Sequence, residues 1–310
     1  MDNYKIVSVI GGKGFIGQYL VNSLLNDGFY VKIISRNAKY SKPKFTLSKL
    51  GQLSYLNCDV KDLKTLKSFI KGSFIVINLT GLLSETRNNN FKIVHDLGTK
   101  NIVEASNEGG VKKILHISAI GASKTALSNY AQTKYLGEQN IKKFKSYCII
   151  RPSIVYGDED NFINYFAKLS KISPMLPLIG GGKTKFQPIW VQDLVNIIRL
   201  FSDKKKSYLT EVGGDDILSF KDILIKINKE LEQKRYYLSL PFKLSKKVAF
   251  FTELIPNPVL TRDQVELLKT DNIVNRKLSY KKIIKFNPKP FDMILKKQLI
   301  KFKKSGGHVD

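Results

Sequence analysis

Apolar residues fall along this chain in two alternating rhythms. Lys5 to Ile10 is a short β-branched run ending in glycines, and Phe15 to Asp27 carries Phe15, Ile16, Leu20, Leu24 and Leu25 at helical spacing. That order predicts strand, tight turn, helix. Gly28 then stops the helix and Tyr30 to Ile34 supplies a second strand, closing a βαβ unit. Further strand-like runs at Leu53 to Asn57, Phe74 to Leu79, Ile114 to Ser118 and Cys148 to Arg151 are each separated by enough chain to carry a helix back across the sheet. Strands alternating with crossovers predict an α/β protein with a doubly wound parallel sheet, a Rossmann fold.

After about Asp158 the rhythm changes. Pro174, Pro177 and Gly180 to Gly182 interrupt the chain, and helix-like runs at Val191 to Phe201 and Phe220 to Leu231 follow without regular strands between them. The expected organisation is a sheet domain over residues 1–157 and a smaller C-terminal, substrate-side subdomain over residues 158–310 packed on it. There is no internal repeat or low-complexity linker.

Charge narrows the partners. The chain of 310 residues has 52 Lys plus Arg against 26 Asp plus Glu, a formal net charge of +26, which favours nucleotides, nucleic acids, acidic proteins or lipid headgroups. Lysine is spread along the whole chain without zinc-ligand spacing or an aromatic RNA-binding signature, so nucleic acid ranks low. The two cysteines, Cys58 and Cys148, lie in apolar strand-like runs and predict core thiols in a reducing compartment. Met1 to Lys5 leads straight into a strand without a secretory pattern, and the longest apolar stretch, Phe74 to Leu83, is too short to span a bilayer. These features predict a cytoplasmic protein.

Candidate chemistry begins at Gly11, Gly14 and Gly17, between the first strand and the first helix. A phosphate-binding turn needs one glycine for the sharp turn, one for close backbone approach to a pyrophosphate and one for close helix packing, with the helix N-terminus at Phe15 and Ile16 facing the anion. The context inside a βαβ unit makes a dinucleotide the expected ligand. The second strand ends in Ser35-Arg36-Asn37, without the carboxylate that would bond ribose hydroxyls in an NAD site. Arg36 can instead pair with a 2′-phosphate, which favours NADP(H) over NAD(H); a solvated surface arginine is the plain alternative. Asp59 and Val60 follow the third strand, where a carboxylate can accept from adenine and an apolar neighbour can cover the ring; Asp59 could equally cap a helix over Lys61 to Ile70. Leu79, Thr80 and Gly81 end the fourth strand beside the expected cofactor path.

Tyr130 and Lys134 stand at i and i+4, on one face if Asn129 to Lys145 is helical. The lysine favours tyrosinate and can hold a nicotinamide ribose, so Tyr130 becomes a candidate general acid or base. Ser118, with Ser123 or Ser128 as substitutes, is the candidate for orienting a substrate carbonyl. His95 and His116 lack a second ligand at metal spacing and read as packing or surface residues, so no metal site is expected.

Together the glycine loop, Asp59-Val60, the Tyr130/Lys134 pair and Arg151-Pro152-Ser153-Ile154-Val155-Tyr156-Gly157 resemble the extended and atypical short-chain dehydrogenase/reductase superfamily, which includes the NAD-dependent epimerases and dehydratases. The resemblance adds Pro152 to the cofactor-binding candidates. Gln187-Pro188-Ile189-Trp190-Val191-Gln192-Asp193-Leu194 looks like that superfamily's segment returning toward the sheet. His116-Ile117-Ser118-Ala119-Ile120-Gly121-Ala122 and Leu260 to Leu268 followed by Asp271-Asn272 resemble the branch of the respiratory complex I alpha-subcomplex subunit nine and its bacterial relatives. That branch implies a tightly held, structural NADPH, a peripheral position on the membrane arm and, in some relatives, a link to ubiquinone metabolism. Its mitochondrial members tend to lack the catalytic tyrosine, whereas this chain keeps Tyr130 and Lys134. Extended enzymes also separate serine from tyrosine by a longer insertion than the 12 positions between Ser118 and Tyr130.

Two functions stay open at this level. One is an NADPH-binding protein associated with respiratory complex I or ubiquinone metabolism, peripheral on the cytoplasmic face of the inner membrane. The other is a soluble epimerase, dehydratase or reductase acting on a nucleotide-sugar or other small carbonyl metabolite. For the first, Arg276 to Lys304 is suggestive: eleven basic residues stand against Asp292 alone, with Phe291, Ile294, Leu295, Leu299 and Phe302 on one helical face. Such a helix either rests on an anionic membrane or acidic subunit, or packs its apolar face on its own domain.

Overall fold

The computed structural model describes residues 5–38, 51–85, 90–255 and 258–303. They form two compact units, Met1–Arg151 with Val195–Thr210, and Pro152–Leu194 with Glu211–Asp310.

In the first unit the elements run β1 (Ile6–Ile10), α1 (Phe15–Asn26), β2 (Tyr30–Ser35), β3 (Leu53–Asn57), α2 (Leu63–Ile70), β4 (Ile75–Asn78), a π-helical turn at Lys92–Leu97, α3 (Gly98–Glu108), β5 (Lys113–Ile117), α4 (Asn129–Ile141) and β6 (Tyr147–Pro152). In the remainder, β7 (Val155–Tyr156), α5 (Phe162–Ile172), β8 (Met175–Ile179), β9 (Lys185–Phe186), β10 (Ile189–Trp190) and α6 (Val191–Ser202) lead to β11 (Tyr208–Val212). There follow β12 (Leu218–Ser219), α7 (Phe220–Glu230), β13 (Tyr236–Leu240), α8 (Phe242–Thr252), α9 (Arg262–Leu267) and α10 (Phe291–Leu299).

The seven-stranded sheet has the order β11-β6-β5-β4-β1-β2-β3, and the pairs from β6 across to β3 are parallel. Strands covered by helices on both faces are mostly apolar, and from Val7 on every residue of β1, β4 and β5 is buried; the polar exceptions, Ser8, Asn78, Lys113 and His116, are each hydrogen-bonded. The order in which strands are added reverses at β1, which pairs with β2 on one side and β4 on the other, and in open parallel sheets such a switch point, at the strands' C-terminal ends, is where ligands bind. Sequence rhythm missed β11, which lies between α6 and α7 where no regular strand was expected. Its neighbour in the sheet is β6, and the segment before it is tied to the sheet by the buried Lys113, whose ammonium donates to the carbonyls of Phe201 (2.8 Å) and Lys204.

The second unit has its own core around Tyr156, Phe186, Phe220, Ile223, Leu224 and Ile227. Phe291, Ile294, Leu295 and Leu299 of α10 complete it, and the Phe291 ring lies 4.9 Å from that of Tyr156. Of the two alternatives the sequence left for the basic C-terminal segment, the structure shows the second: Phe291, Ile294, Leu295 and Leu299 are buried in its own unit, so the face that would enter lipid is already covered. Among the described residues no helix is long and apolar enough to cross a membrane.

Candidate functional site

The turn after β1 is built on two constraints. Gly11 has φ +80°, a left-handed conformation that side chains disfavour, and a Cβ there would stand 3.2 Å from the Leu79 carbonyl carbon. Gly17 sits in the first turn of α1, where a Cβ would lie 2.6 Å from both the Gly11 oxygen and the Gly12 carbonyl carbon. The helix can approach the turn this closely only with glycine. Gly14 is the exposed N-cap of α1 and supplies no side-chain cap, so the amides at Phe15 and Ile16 head the helix without a competing acceptor from the cap residue. Leu79 anchors the facing strand end by donating to the Ile10 carbonyl at 2.9 Å. This cradle fits a pyrophosphate.

Arg36 is exposed at the end of β2. The structure adds a second cation that pattern reading overlooked: Lys13, inside the glycine turn, donates to the Asn37 carbonyl. Asp59 does not cap α2; Asp62 does, accepting from the Thr65 amide at 3.1 Å. Asp59 instead closes the preceding turn by accepting from the Lys61 amide at 3.0 Å, and it keeps partial exposure. Val60 is buried against Gly98, and its carbonyl accepts from the Asn101 amide group at 2.8 Å.

At the ends of β4 and β5 a buried polar group surrounds Lys134. The Lys134 ammonium donates to the carbonyls of Ile117 (3.2 Å) and Thr80 (3.4 Å), and Gly81 leaves the space beside it, since a Cβ there would stand 3.2 Å away. Burial lowers the Lys134 pKa from 10.5 to about 8, with Glu138 opposing the shift. Tyr130 lies one turn earlier on α4, its ring 5.9 Å from that ammonium and edge-on to the rings of Phe91 (5.7 Å) and His95 (5.4 Å). His95 comes from the π-helical turn, a feature that often marks functional positions. Its Nε2 accepts from the Leu82 amide at 3.1 Å, so the ring proton sits on Nδ1 and donates to Thr133 Oγ1 at 3.0 Å. Burial, with Lys134 and His116 adding, lowers the His95 pKa to about 2, which keeps the ring neutral.

Asn78 organises the strand ends. Its Oδ1 accepts from the Thr80 amide (3.0 Å) and hydroxyl (2.6 Å), so its amide nitrogen must be the group donating to His116 Nδ1 at 3.0 Å. His116 then carries its proton on Nε2, which has no partner among the described residues. Both histidines are buried within this network.

The serine candidate has a partner within the fold. Ser118 is buried, and its hydroxyl donates to Glu138 Oε1 at 2.6 Å. Glu138 is fully buried and held by Arg151 through two further bonds, Nε to Oε1 at 2.7 Å and Nη2 to Oε2 at 2.6 Å. A hydroxyl has one proton, so while it donates to a carboxylate it has none for a substrate carbonyl. Of the substitutes, Ser128 caps α4 by accepting from the Ala131 amide at 3.3 Å, and Ser123 is bonded to Thr125. Sequence reasoning missed the Glu138–Arg151 pair, although Glu138 falls four residues after Lys134 on the same helix. Pro152 is the buried last residue of β6.

A doubly wound sheet with a sealed glycine turn at its switch point defines a dinucleotide-binding protein of the Rossmann class. More narrowly, the chain belongs to the NAD dependent epimerase/dehydratase family, whose sequence profile matches residues 7–212. It is 30% identical over 285 residues to NADH dehydrogenase (ubiquinone) 1 alpha subcomplex subunit 9, mitochondrial, of Arabidopsis thaliana, covering 87% of this chain and 71% of that one. To the Mus musculus protein of the same name it is 36% identical over 192 residues, covering 61% of this chain and 51% of that one. Among solved structures it shares its fold with the UDP-glucose 4-epimerase of Thermus thermophilus in complex with NAD, at a TM-score of 0.70 and 18% identity over 98% of this chain and 100% of that one.

Proposed function

We propose that this chain is a dinucleotide-holding accessory protein of a respiratory NADH:ubiquinone oxidoreductase, and that the nucleotide it holds is NADP(H), serving to brace the fold. The observation that carries this reading is the commitment of the Ser118 hydroxyl to the buried Glu138–Arg151 pair, beside a glycine cradle that remains suited to a pyrophosphate. The glycine cradle supports binding, while the first-choice serine spends its hydroxyl proton on Glu138. In this reading Gly11, Gly14, Phe15, Ile16 and Gly17 hold the pyrophosphate, Arg36 and Lys13 meet the 2′-phosphate, Asp59 and Val60 flank the adenine, and Leu79, Thr80, Gly81 and Pro152 line the path onward. Lys134 holds the nicotinamide ribose. The assembly partner follows from the names of the similar proteins, which are subunits of mitochondrial complex I.

Native-gel separation of membranes from cells carrying the tagged full chain tests the assembly. Co-migration with NADH:quinone-reducing activity is expected, and a chain migrating alone in every detergent would overturn it.

A second reading keeps turnover, because Tyr130 and Lys134 share a face of α4 with the ammonium near the ring. Bound NADPH would supply a hydride, and Tyr130 would move the proton. NADPH oxidation by purified protein, abolished in Tyr130→Phe, would favour this reading over a structural nucleotide.

A further inference from the structure

The enclosed apolar face of α10 leaves the basic C-terminal segment without an apolar surface to offer. α8 does offer one. Its small residues point inward: Ser245 and Ala249 are fully buried, and Ser245 Oγ donates to the Pro241 carbonyl at 3.1 Å. Its large ones point outward. Leu244, Val248, Phe251 and Ile255 recur at i, i+4, i+7 and i+11 and, with Leu254, are 41–72% exposed. A helix packed on a soluble unit normally has the opposite arrangement, and a contiguous exposed apolar stripe marks an interaction surface.

The charges around the stripe identify what it meets. Glu253, the one carboxylate between Phe242 and Ile255, is held by Arg262 at 2.7 Å, and Arg262 also lies 5.3 Å from the Phe250 ring. Lys246 is paired with Glu266. Lys243 and Lys247 are exposed beside the stripe, one turn apart, with no ion-pair partner among the described residues. The surface thus combines large apolar side chains, two unpaired ammonium groups on flexible stems and no free negative charge. Lysine stems can lie along apolar surface while their heads reach outward to phosphate. A second copy of the chain would bring the same lysines together, in a protein already at +26.

We propose that α8, with Leu254 and Ile255, docks on an anionic lipid bilayer: the stripe enters the acyl boundary, and Lys243 and Lys247 engage headgroup phosphates. At 11 residues the helix lies in the interface and does not cross it. This goes beyond the nucleotide reading and uses none of its residues, so either can fail alone.

Sedimentation of the full chain with vesicles tests it, using phosphatidylcholine alone and phosphatidylcholine with about one-third phosphatidylglycerol. Binding is expected only with the anionic lipid, weakening as salt is raised. The triple variant Leu244→Ser/Phe251→Ser/Leu254→Ser should bind about tenfold or more weakly while melting like the parent, because these side chains are already exposed. Lys243→Gln/Lys247→Gln should lose binding on the order of tenfold, whereas Lys296→Gln/Lys297→Gln, which removes equal charge from α10, should stay within about twofold. A Phe251→Trp probe should shift its emission to the blue on vesicles and be quenched by brominated acyl chains. Undiminished binding by the triple variant, equal loss in the α10 control, or an unshifted probe would overturn the proposal. So would a stripe substitution that changes the oligomeric state and leaves vesicle binding intact.

Discussion

Lys134 gives the sharpest test of how this site is built, because the fold holds an ammonium where burial disfavours it. With a folded pKa of about 8 against 10.5 when solvated, the unfolded chain binds more protons between those values, so stability attributable to this residue rises as pH rises through that window. Below pH 8 the full penalty applies. Between about pH 7 and about pH 10 the relief amounts to about 2–3 kcal/mol. Urea denaturation of the nucleotide-free parent and of Lys134→Met at both pH values isolates it, since every other titrating group is common to the two. The parent should gain about 2–3 kcal/mol more than the variant on going to high pH. The variant should also lose affinity for nicotinamide nucleotide, showing that the site retains a destabilising charge for binding. Equal pH increments in the two proteins would refute the reasoning, because Lys134 would then titrate as a solvated lysine.

Four further substitutions probe three separate parts of the account. Gly17→Ala forces a methyl against the Gly11 and Gly12 backbone and should cost about 1–3 kcal/mol by thermal or urea melting while reducing nucleotide occupancy; an unchanged occupancy would show that the turn is not the cradle. Glu138→Ala leaves Arg151 without its buried partner and should cost about 3–5 kcal/mol, against about 1–2 kcal/mol for Ser118→Ala, with a melting temperature within a degree of the parent contradicting the structural role assigned to the trio. Arg36→Ser should weaken NADPH about tenfold in equilibrium titration and leave NADH unchanged; equal effects on both would remove the 2′-phosphate assignment.

What could be read from the sequence was local in origin. The βαβ unit, the strands from Leu53 and Phe74 and the glycine turn are written in runs of neighbouring residues, and β1, β3, β4 and α1 appear where the periodicity puts them. The pairing of Glu138 with Arg151, and the capture of Ser118 by that pair, joins segments whose contact only the folded sheet creates. β11 escaped notice because Tyr208 to Val212 is short and interrupted by Thr210 and Glu211, and its place is set by the neighbouring β6. The C-terminal helix had the periodicity of both an interfacial and a packed helix, and only the core of the second unit distinguishes them. The outward stripe of α8 was missed for the complementary reason: apolar residues at helical spacing suggest a buried face until exposure is known.

The central claim is that the turn from Gly11 to Gly17 grips a pyrophosphate of NADP(H). Mass spectrometry of nucleotide released on denaturing the natively purified chain measures this most directly, reporting occupancy, 2′-phosphate and redox state together. The account predicts close to one NADP(H) per chain, retained without exchange during purification. Protein that emerges empty and binds neither nicotinamide nucleotide would contradict it.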